Sequence, residues 1–424
     1  MKIANVNRQP EKAVIAGLAL PGETQHSAER SLDELARLVD TAGGEVIARF
    51  SQARPKPDTK YFIGKGKADE IAGFVKDRKI ESVVVDNELS PSQQLNLEKL
   101  MDCKVVDRAA LILDIFALHA RSAEGKLQIE LAQLNYYLPR LKGMWLHLGR
   151  LGGGIGTRGP GETQLEADRR HIRRKVAKLK KELAGVSATR GLQRSRRKKK
   201  PVFSVALVGY TNAGKSSLMR RLTGADVLIA DQLFATLDST TRRIGAAEGT
   251  EIVISDTVGF INKLPHELVA AFKSTLDEVA QADLLVHVID ATETDLERQI
   301  RAVDKVLEEI GAGEIERLLA YNKADLIDND SKRSLAAGPS AYVVSSIDGE
   351  GVEKLLAGIS GAGEKLTVRV KVKIPFSDGS VRQWLYDHSV VHEEEHDHDG
   401  SLITAAVRKE DVGKVAKYRV GDSQ

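Results

Sequence analysis

A single cysteine, Cys103, stands in a chain of 424 residues. One thiol excludes internal disulfides, and so sparse a use of cysteine fits a reducing compartment. No stretch approaches the roughly 20 consecutive apolar residues that a helix needs to cross a bilayer. The opening MKIANVNRQPEKAVIAGLALPG has no long apolar core followed by a small-residue cleavage site, so no signal peptide is expected and the cytoplasm is the expected location. Net charge is small as well, at +3. That balance conceals a local excess. From Arg169 to Lys200, fifteen lysines and arginines meet one acid, Glu182, a net of +14 that leaves −11 for the rest of the chain. Apolar residues, at 42%, are ample for packed cores, and the length predicts roughly two to four domains.

The most informative stretch is Gly209-Tyr210-Thr211-Asn212-Ala213-Gly214-Lys215-Ser216-Ser217. It follows Val202-Phe203-Ser204-Val205-Ala206-Leu207-Val208, an apolar run that reads as a buried strand. Gly209, four residues, then Gly214-Lys215-Ser216 matches the phosphate-loop spacing. Glycines let the backbone turn its N–H groups toward a phosphate. Lys215 would bridge the β- and γ-phosphates and Ser216 Oγ would hold Mg²⁺. A helix starting at Lys215 would point its positive end at the same anions. A plain strand-turn-helix connection is the alternative, and the downstream sequence argues against it.

Asp256-Thr257-Val258-Gly259 follows a second strand-like run, Glu251 to Ser255. Asp256 suits an outer contact to Mg²⁺, and the Gly259 N–H can sense the γ-phosphate. Leu284 to Asp290 reads as a third parallel-type strand. Leu318 to Tyr321 leads into Asn322-Lys323-Ala324-Asp325, the guanine-reading pattern of Ras-like GTPases, which the chain resembles from here on. Asp325 can accept from the guanine N1–H and N2 amine, donors that adenine lacks. Ser345-Ser346, after Ala341 to Val344, stands where such enzymes usually carry Ser-Ala. Phe234-Ala235-Thr236-Leu237-Asp238 holds the candidate switch, with Thr236 as the second Mg²⁺ ligand and Thr240 or Thr241 as fallback. Lys215, Thr236 and Gly259 are the expected catalytic set. Phe260 occupies the place where many such enzymes carry a water-orienting glutamine, so intrinsic hydrolysis should be slow. In GTPases that this loop resembles, an asparagine at the place of Asn212 helps hold K⁺; the alternative is that it only stabilises the loop.

Ahead of this region, short strand candidates at 13–18, 45–48, 82–85 and 104–106 alternate with helical segments near 27–40, 66–78 and 91–101, which predicts a parallel sheet. Tyr61-Phe62-Ile63-Gly64-Lys65-Gly66-Lys67 lacks the third glycine of a dinucleotide loop and reads as a strand-helix turn. Leu127, Leu131, Leu134, Leu138 and Leu141 predict one amphipathic helix. Leu165, Ile172, Val176, Leu179 and Leu183 predict a second, from about 162 to 183, paired antiparallel with the first. The connecting GRLGGGIGTRGPGE, Gly149 to Glu162, is either a hinge or a loop whose bare backbone lies against RNA. The acid-free run Arg194 to Lys200 favours RNA through sequence-independent phosphate attraction.

Leu366 to Pro375 alternates like a half-buried strand, and with a helix through Trp384 and a strand at 401–407 it predicts a small α+β unit. His392-Glu393-Glu394-Glu395-His396 matches the letters of a zinc protease motif, but the acids and Gly400 that follow deny it a buried helix, so an exposed hairpin end is expected.

GGGIGTRGPGETQLEADRRHIRRK (Gly152 to Lys175), NYYLPRL (Asn135 to Leu141), YFIGKGK (Tyr61 to Lys67) and FATLDSTTRR together resemble the HflX family along essentially the whole chain. The resemblance implies an N-terminal α/β domain over 1–121, a helical hairpin with glycine-rich tip and basic linker over 122–200, a Ras-like GTPase domain over 201–365 and an α+β domain over 366–424. It implies Mg²⁺-dependent GTP hydrolysis, association with the large ribosomal subunit and its RNA, and splitting or rescue of stalled ribosomes under stress, with the hairpin tip near the peptidyl transferase centre. A monomer off the ribosome is expected. The competing readings are a zinc metalloprotease with a regulatory nucleotide domain and a GTPase that binds free RNA.

Overall fold

The computed structural model describes residues 10–144, 160–197, 202–224, 233–234, 240–247, 250–263 and 273–420. The chain forms two compact units. The first comprises Met1–Leu183 with the short segments Gln232–Phe234 and Lys263–Phe272; the second comprises Ala184–Asp231, Ala235–Asn262 and Lys273–Gln424.

In the first unit, strands β1 (Glu11–Ala19), β2 (Gly44–Ala53), β3 (Ser82–Val85) and β4 (Lys104–Asp107) alternate with helices α1 (Gln25–Thr41), α2 (Lys65–Arg78), α3 (Pro91–Met101) and α4 (Arg108–His119). The sheet is parallel, ordered β2-β1-β3-β4. Interior β3 is buried along its length, whereas edge strand β2 alternates half-buried and exposed residues. Val14, Ala16, Ile71, Val83, Val85, Leu97 and Val105 pack the core. Local sequence sets the helix starts. Thr24 caps α1, and Ser90 with Gln93 makes a capping box on α3 with Pro91 in the first turn. The turn at 61–67 is a packed one. The Gly64 N–H donates to Gln52 Oε1 at 2.8 Å, and a side chain there would meet the Arg54 guanidinium at 2.5 Å.

Helix α5 (Ala123–Met144) differs from the leucine stripe expected of it. The buried side is Gln128, Ile129, Leu131, Ala132 and Tyr136, while Leu127, Leu134, Leu138 and Leu141 are only half-buried. Polar anchors turn the helix. Tyr136 donates its hydroxyl to Asp107 Oδ1 at 2.8 Å, and Arg140 reaches Asp107 Oδ2 at 3.2 Å and Leu89 O at 2.7 Å. Helix α6 (Pro160–Arg197) runs well beyond the expected end at 183, so the basic run is helical through Arg197. Nothing between Gly185 and Arg197 breaks a helix as proline would. Ile172, Val176, Leu179 and Leu183 do share one covered side, and Lys175 pairs with Glu130 of α5 at 2.5 Å. The glycine-rich tip lies largely outside the described residues.

In the second unit, β5 (Val202–Gly209), β7 (Thr250–Asp256), β8 (Leu284–Asp290), β9 (Arg317–Asn322) and β10 (Ala341–Val343) are parallel, and β6 (Thr240–Ala247) lies antiparallel on the edge. The order is β10-β9-β8-β5-β7-β6. Helix α7 (Lys215–Thr223) follows β5, and helix α8 (Val352–Leu366) packs Leu355 and Ile359 into the core with Val205, Leu207, Ile254 and Val286. Because β5 sits between β7 and β8, the connections leave it in opposite directions. A crevice therefore opens at the carboxyl end of β5, where ligands bind in open α/β sheets.

The same unit continues into an antiparallel sheet ordered β11-β13-β12, of β11 (Thr367–Pro375), β12 (Val390–His396) and β13 (Gly400–Arg408), with helix α9 (Gly379–His388). Val370, Val372 and Ile374 of β11 face Leu385, Ile403 and Val407. His392 to His396 is strand, with Glu394 paired to Arg382 at 2.8 Å and His396 Nδ1 at 3.0 Å from Ser401 Oγ. A zinc protease needs both histidines on one helical turn, so that alternative loses its geometry.

Candidate active site

The crevice at β5 holds a loop whose shape requires its glycines. Gly209 has φ 152°, and a Cβ there would lie 2.2 Å from Val288 O. Gly214 has φ 87°, and a Cβ would lie 2.2 Å from Asn322 Nδ2. Lys215 and Ser216 open α7, so the loop N–H groups and the helix N-terminus share one concavity. The Lys215 ammonium is buried and donates to Gly209 O at 3.1 Å and Tyr210 O at 2.8 Å. Burial pulls it down to about 8, with Asp256 pulling the other way. Ser216 Oγ donates to Asp256 Oδ2 at 2.6 Å.

The segment after Asp256 is stitched to the loop. The Phe260 N–H donates to Gly209 O at 3.0 Å, the Thr211 N–H to Phe260 O at 2.7 Å, and the Asn262 N–H to the Tyr210 hydroxyl at 2.7 Å. Thr257 Oγ1 donates to Leu207 O at 2.6 Å. Val258 and Phe260 are buried. A Cβ on Gly259 would lie 2.9 Å from Thr211 Cα, so only glycine fits there without displacement. The stretch expected to sense phosphate is thus an extension of the phosphate loop itself.

The loops expected to read the base meet the same crevice. Asn322 is fully buried; its Nδ2 donates to Ala213 O at 2.9 Å and its Oδ1 accepts from the Ser346 N–H at 3.1 Å. Ser345 Oγ donates to Asp325 Oδ1 at 2.7 Å, which orients the carboxylate. Ser346 takes part through its backbone, so a serine in place of alanine is accommodated. The Ala324 N–H donates to Val344 O at 3.1 Å. Lys323, with φ 65°, donates to Asp290 Oδ2 at 2.6 Å.

Gly209 to Ser217, Asp256 to Gly259, Asn322 to Asp325 and Ser345-Ser346 are thereby brought together around one crevice. Phe234 belongs to the first unit, where its ring meets Phe116 edge-on at 4.6 Å. Ala235, Thr236, Leu237 and Asp238 lie outside the described residues. The fallback Thr241 sits on β6 with its hydroxyl 2.9 Å from Ser255 Oγ. One contributor escaped the motif reading, the Asp290 carboxylate; Tyr210 lay within it, and the structure adds that its hydroxyl accepts from Asn262. Asp290 ends an apolar strand at the crevice, which is the signal that could have found it.

Family models cover most of the chain. "GTP-binding GTPase N-terminal" matches residues 29–117, "GTP-binding GTPase Middle Region" 119–197, "50S ribosome-binding GTPase" 204–323 and "HflX C-terminal domain" 332–422. The GTPase HflX of Caldanaerobacter subterraneus subsp. tengcongensis is 46% identical over 94% of this chain and 92% of its own. The chain belongs to the HflX family. The GTPase HflX of Escherichia coli is also 46% identical, over 89% of this chain and 90% of its own. Among solved structures, a GTP-binding protein from Sulfolobus solfataricus in complex with GDP is 26% identical, covering 84% of this chain and 99% of that chain, with a TM-score of 0.43. As an HflX protein the chain is a GTPase, and the crevice at β5 is where its motifs converge. No helix among the described residues is long and apolar enough to cross a membrane.

Proposed function

We propose that this HflX GTPase uses its nucleotide state to govern association with the large ribosomal subunit, and that it splits or rescues stalled ribosomes under stress. The observation that carries the reading is the pairing of Phe260 with the phosphate loop. A γ-phosphate drawn to Gly259 pulls on a segment tied to Gly209 and Thr211, and its loss on hydrolysis releases that segment. The matched GTPase model is described as ribosome-binding, and α6 presents a dense row of exposed cations suited to RNA phosphates.

In this reading Lys215 holds the β- and γ-phosphates, and Asn322, Asp325, Ser345 and Ser346 hold guanine. Ser216 and Asp256 form an oxygen-only donor pair at the phosphate end, which fits Mg²⁺, with Thr236 as the second protein ligand. Mg²⁺ would neutralise charge on the β- and γ-oxygens. Nothing among the described residues hydrogen-bonds the exposed Asn212 side chain, which favours the K⁺ role over loop bracing. Turnover faster in KCl than in NaCl at equal ionic strength is expected, and equal rates would remove K⁺. Functionally the chain divides at 121, 200 and 365, acts in the cytoplasm, and is a monomer away from the ribosome.

Sedimentation through sucrose gradients with purified ribosomal subunits tests the main proposal. Co-migration with the large subunit is expected with a non-hydrolysable GTP analogue and loss of it with GDP. Equal binding in both states, or binding only to protein-free RNA, would overturn the reading.

A further inference from the structure

Hydrolysis of GTP needs something beside the γ-phosphate to stabilise charge or orient water, and the residue after Gly259 cannot do it. Phe260 is a hydrocarbon and is 2% exposed. Three polar side chains nearby, those of Thr257, Ser216 and Lys215, are engaged. Thr257 Oγ1 donates to Leu207 O, Ser216 Oγ to Asp256, and the Lys215 ammonium to two loop carbonyls. Thr211 is different. It is 7% exposed, and no described protein group is hydrogen-bonded to its hydroxyl. An uncompensated buried hydroxyl costs on the order of 1–3 kcal/mol, so its presence calls for a use.

Its position suggests the use. A methyl-sized probe on Gly259 would lie 2.9 Å from Thr211 Cα, 2.9 Å from Thr211 Cγ2 and 3.0 Å from Lys215 Nζ. Thr211, Gly259 and Lys215 therefore border one spot, with the Thr211 backbone and methyl nearest to it and the hydroxyl on the same Cβ as that methyl. Two of the three are the groups that the phosphate-loop architecture directs at the γ-phosphate. The Thr211 backbone is held there by its N–H bond to Phe260 O at 2.7 Å, so the side chain is carried on the same stitched segment as Gly259.

We infer that the Thr211 hydroxyl is a further catalytic group, donating to a γ-phosphoryl oxygen as the transition state forms. In that step the water oxygen bonds to the γ-phosphorus and the bond to the β–γ bridging oxygen breaks. Its electron pair leaves with GDP, and the water proton ends on inorganic phosphate. The hydroxyl transfers nothing; it stabilises charge spread over the equatorial oxygens, the contribution that preorganised donors make in such sites.

Thr211→Val keeps the shape and removes the hydroxyl, Thr211→Ala removes it without bulk beside Gly259, and Thr211→Ser restores it. Single-turnover hydrolysis and GDP affinity are measured on the full chain with Mg²⁺ and K⁺ present. GDP affinity within threefold of wild type shows that the site is folded. Hydrolysis is expected to fall about 10²-fold in the Ala variant, and in Val where GDP still binds, with Ser within threefold of wild type. Ala turning over within threefold of wild type, GDP affinity falling in parallel with rate in Ala, or Ser failing to rescue would each overturn the assignment.

Discussion

At the scale of one residue, Lys215 shows how the site trades stability for binding. Its ammonium is held down to about 8 by burial, against an ordinary 10.5. Between those values the folded chain binds fewer protons than the unfolded one, so nucleotide-free protein gains stability as pH rises through that window. Below it the buried charge costs on the order of 3 kcal/mol, at about 1.4 kcal/mol per pH unit. Phosphate oxygens would offset that cost by pairing the charge. Lys215→Met should therefore stabilise the nucleotide-free protein at pH 7, by an amount that shrinks above pH 8, while abolishing hydrolysis. Urea denaturation at pH 7 and 9.5 checks this; a variant less stable than wild type at pH 7 would contradict it. Cys103 is a contrasting case. Burial pushes its thiol up to about 11, helped by Glu98 and Asp102, so this lone cysteine is a poor nucleophile at neutral pH.

At the scale of elements, one carboxylate joins three pieces of the first unit. Asp107 is fully buried and accepts from the Ala110 N–H at 2.9 Å, the Leu89 N–H at 3.1 Å, the Tyr136 hydroxyl at 2.8 Å and Arg140 at 3.2 Å. It caps α4, fixes the loop before α3 and anchors α5. Asp107→Ala leaves Tyr136 and Arg140 buried without their acceptor, and should cost about 3–5 kcal/mol. Denaturation would measure the loss, and hydrogen exchange should show it as earlier opening of α5; unchanged α5 protection would refute the anchor. This cluster also explains what the leucine spacing missed. Helical periodicity located α5, but the side that became buried is the one carrying Tyr136, because the two α5 donors to Asp107, Tyr136 and Arg140, outweigh a modest rotation of half-covered leucines.

At the scale of the whole molecule, near-neutral net charge coexists with one strongly basic helix. Arg173, Arg174, Lys178, Lys180 and Lys181 of α6 are all exposed. Neutralising these five should weaken ribosome or RNA binding and make its salt dependence shallower, by roughly 0.7–0.9 in the log–log slope for each phosphate left without its cation. Hydrolysis by the isolated protein should be largely intact, because none of the five belongs to the crevice. An unchanged slope in binding titrations from low to moderate salt would show that these residues touch no phosphates.

By itself the sequence determined the parts whose code is local. Strand-glycine-lysine spacing, the Asn-Lys-x-Asp pattern and the alternation in the first unit are legible because backbone geometry and hydrogen-bond chemistry demand particular residues at short spacings. The parallel sheets, and the convergence of the motifs on one crevice, followed from them. What only the tertiary structure decided depends on residues far apart in the chain. Asp290 meets Lys323, Ser345 meets Asp325, and Phe260 pairs with Gly209 because parallel strands bring their carboxyl ends to one edge. No spacing rule announces such meetings. The Thr211 hydroxyl is of this kind. In the sequence Thr211 is one loop residue among several, and only the close approach of Gly259 to its backbone and methyl and to the Lys215 ammonium points to the role proposed for it.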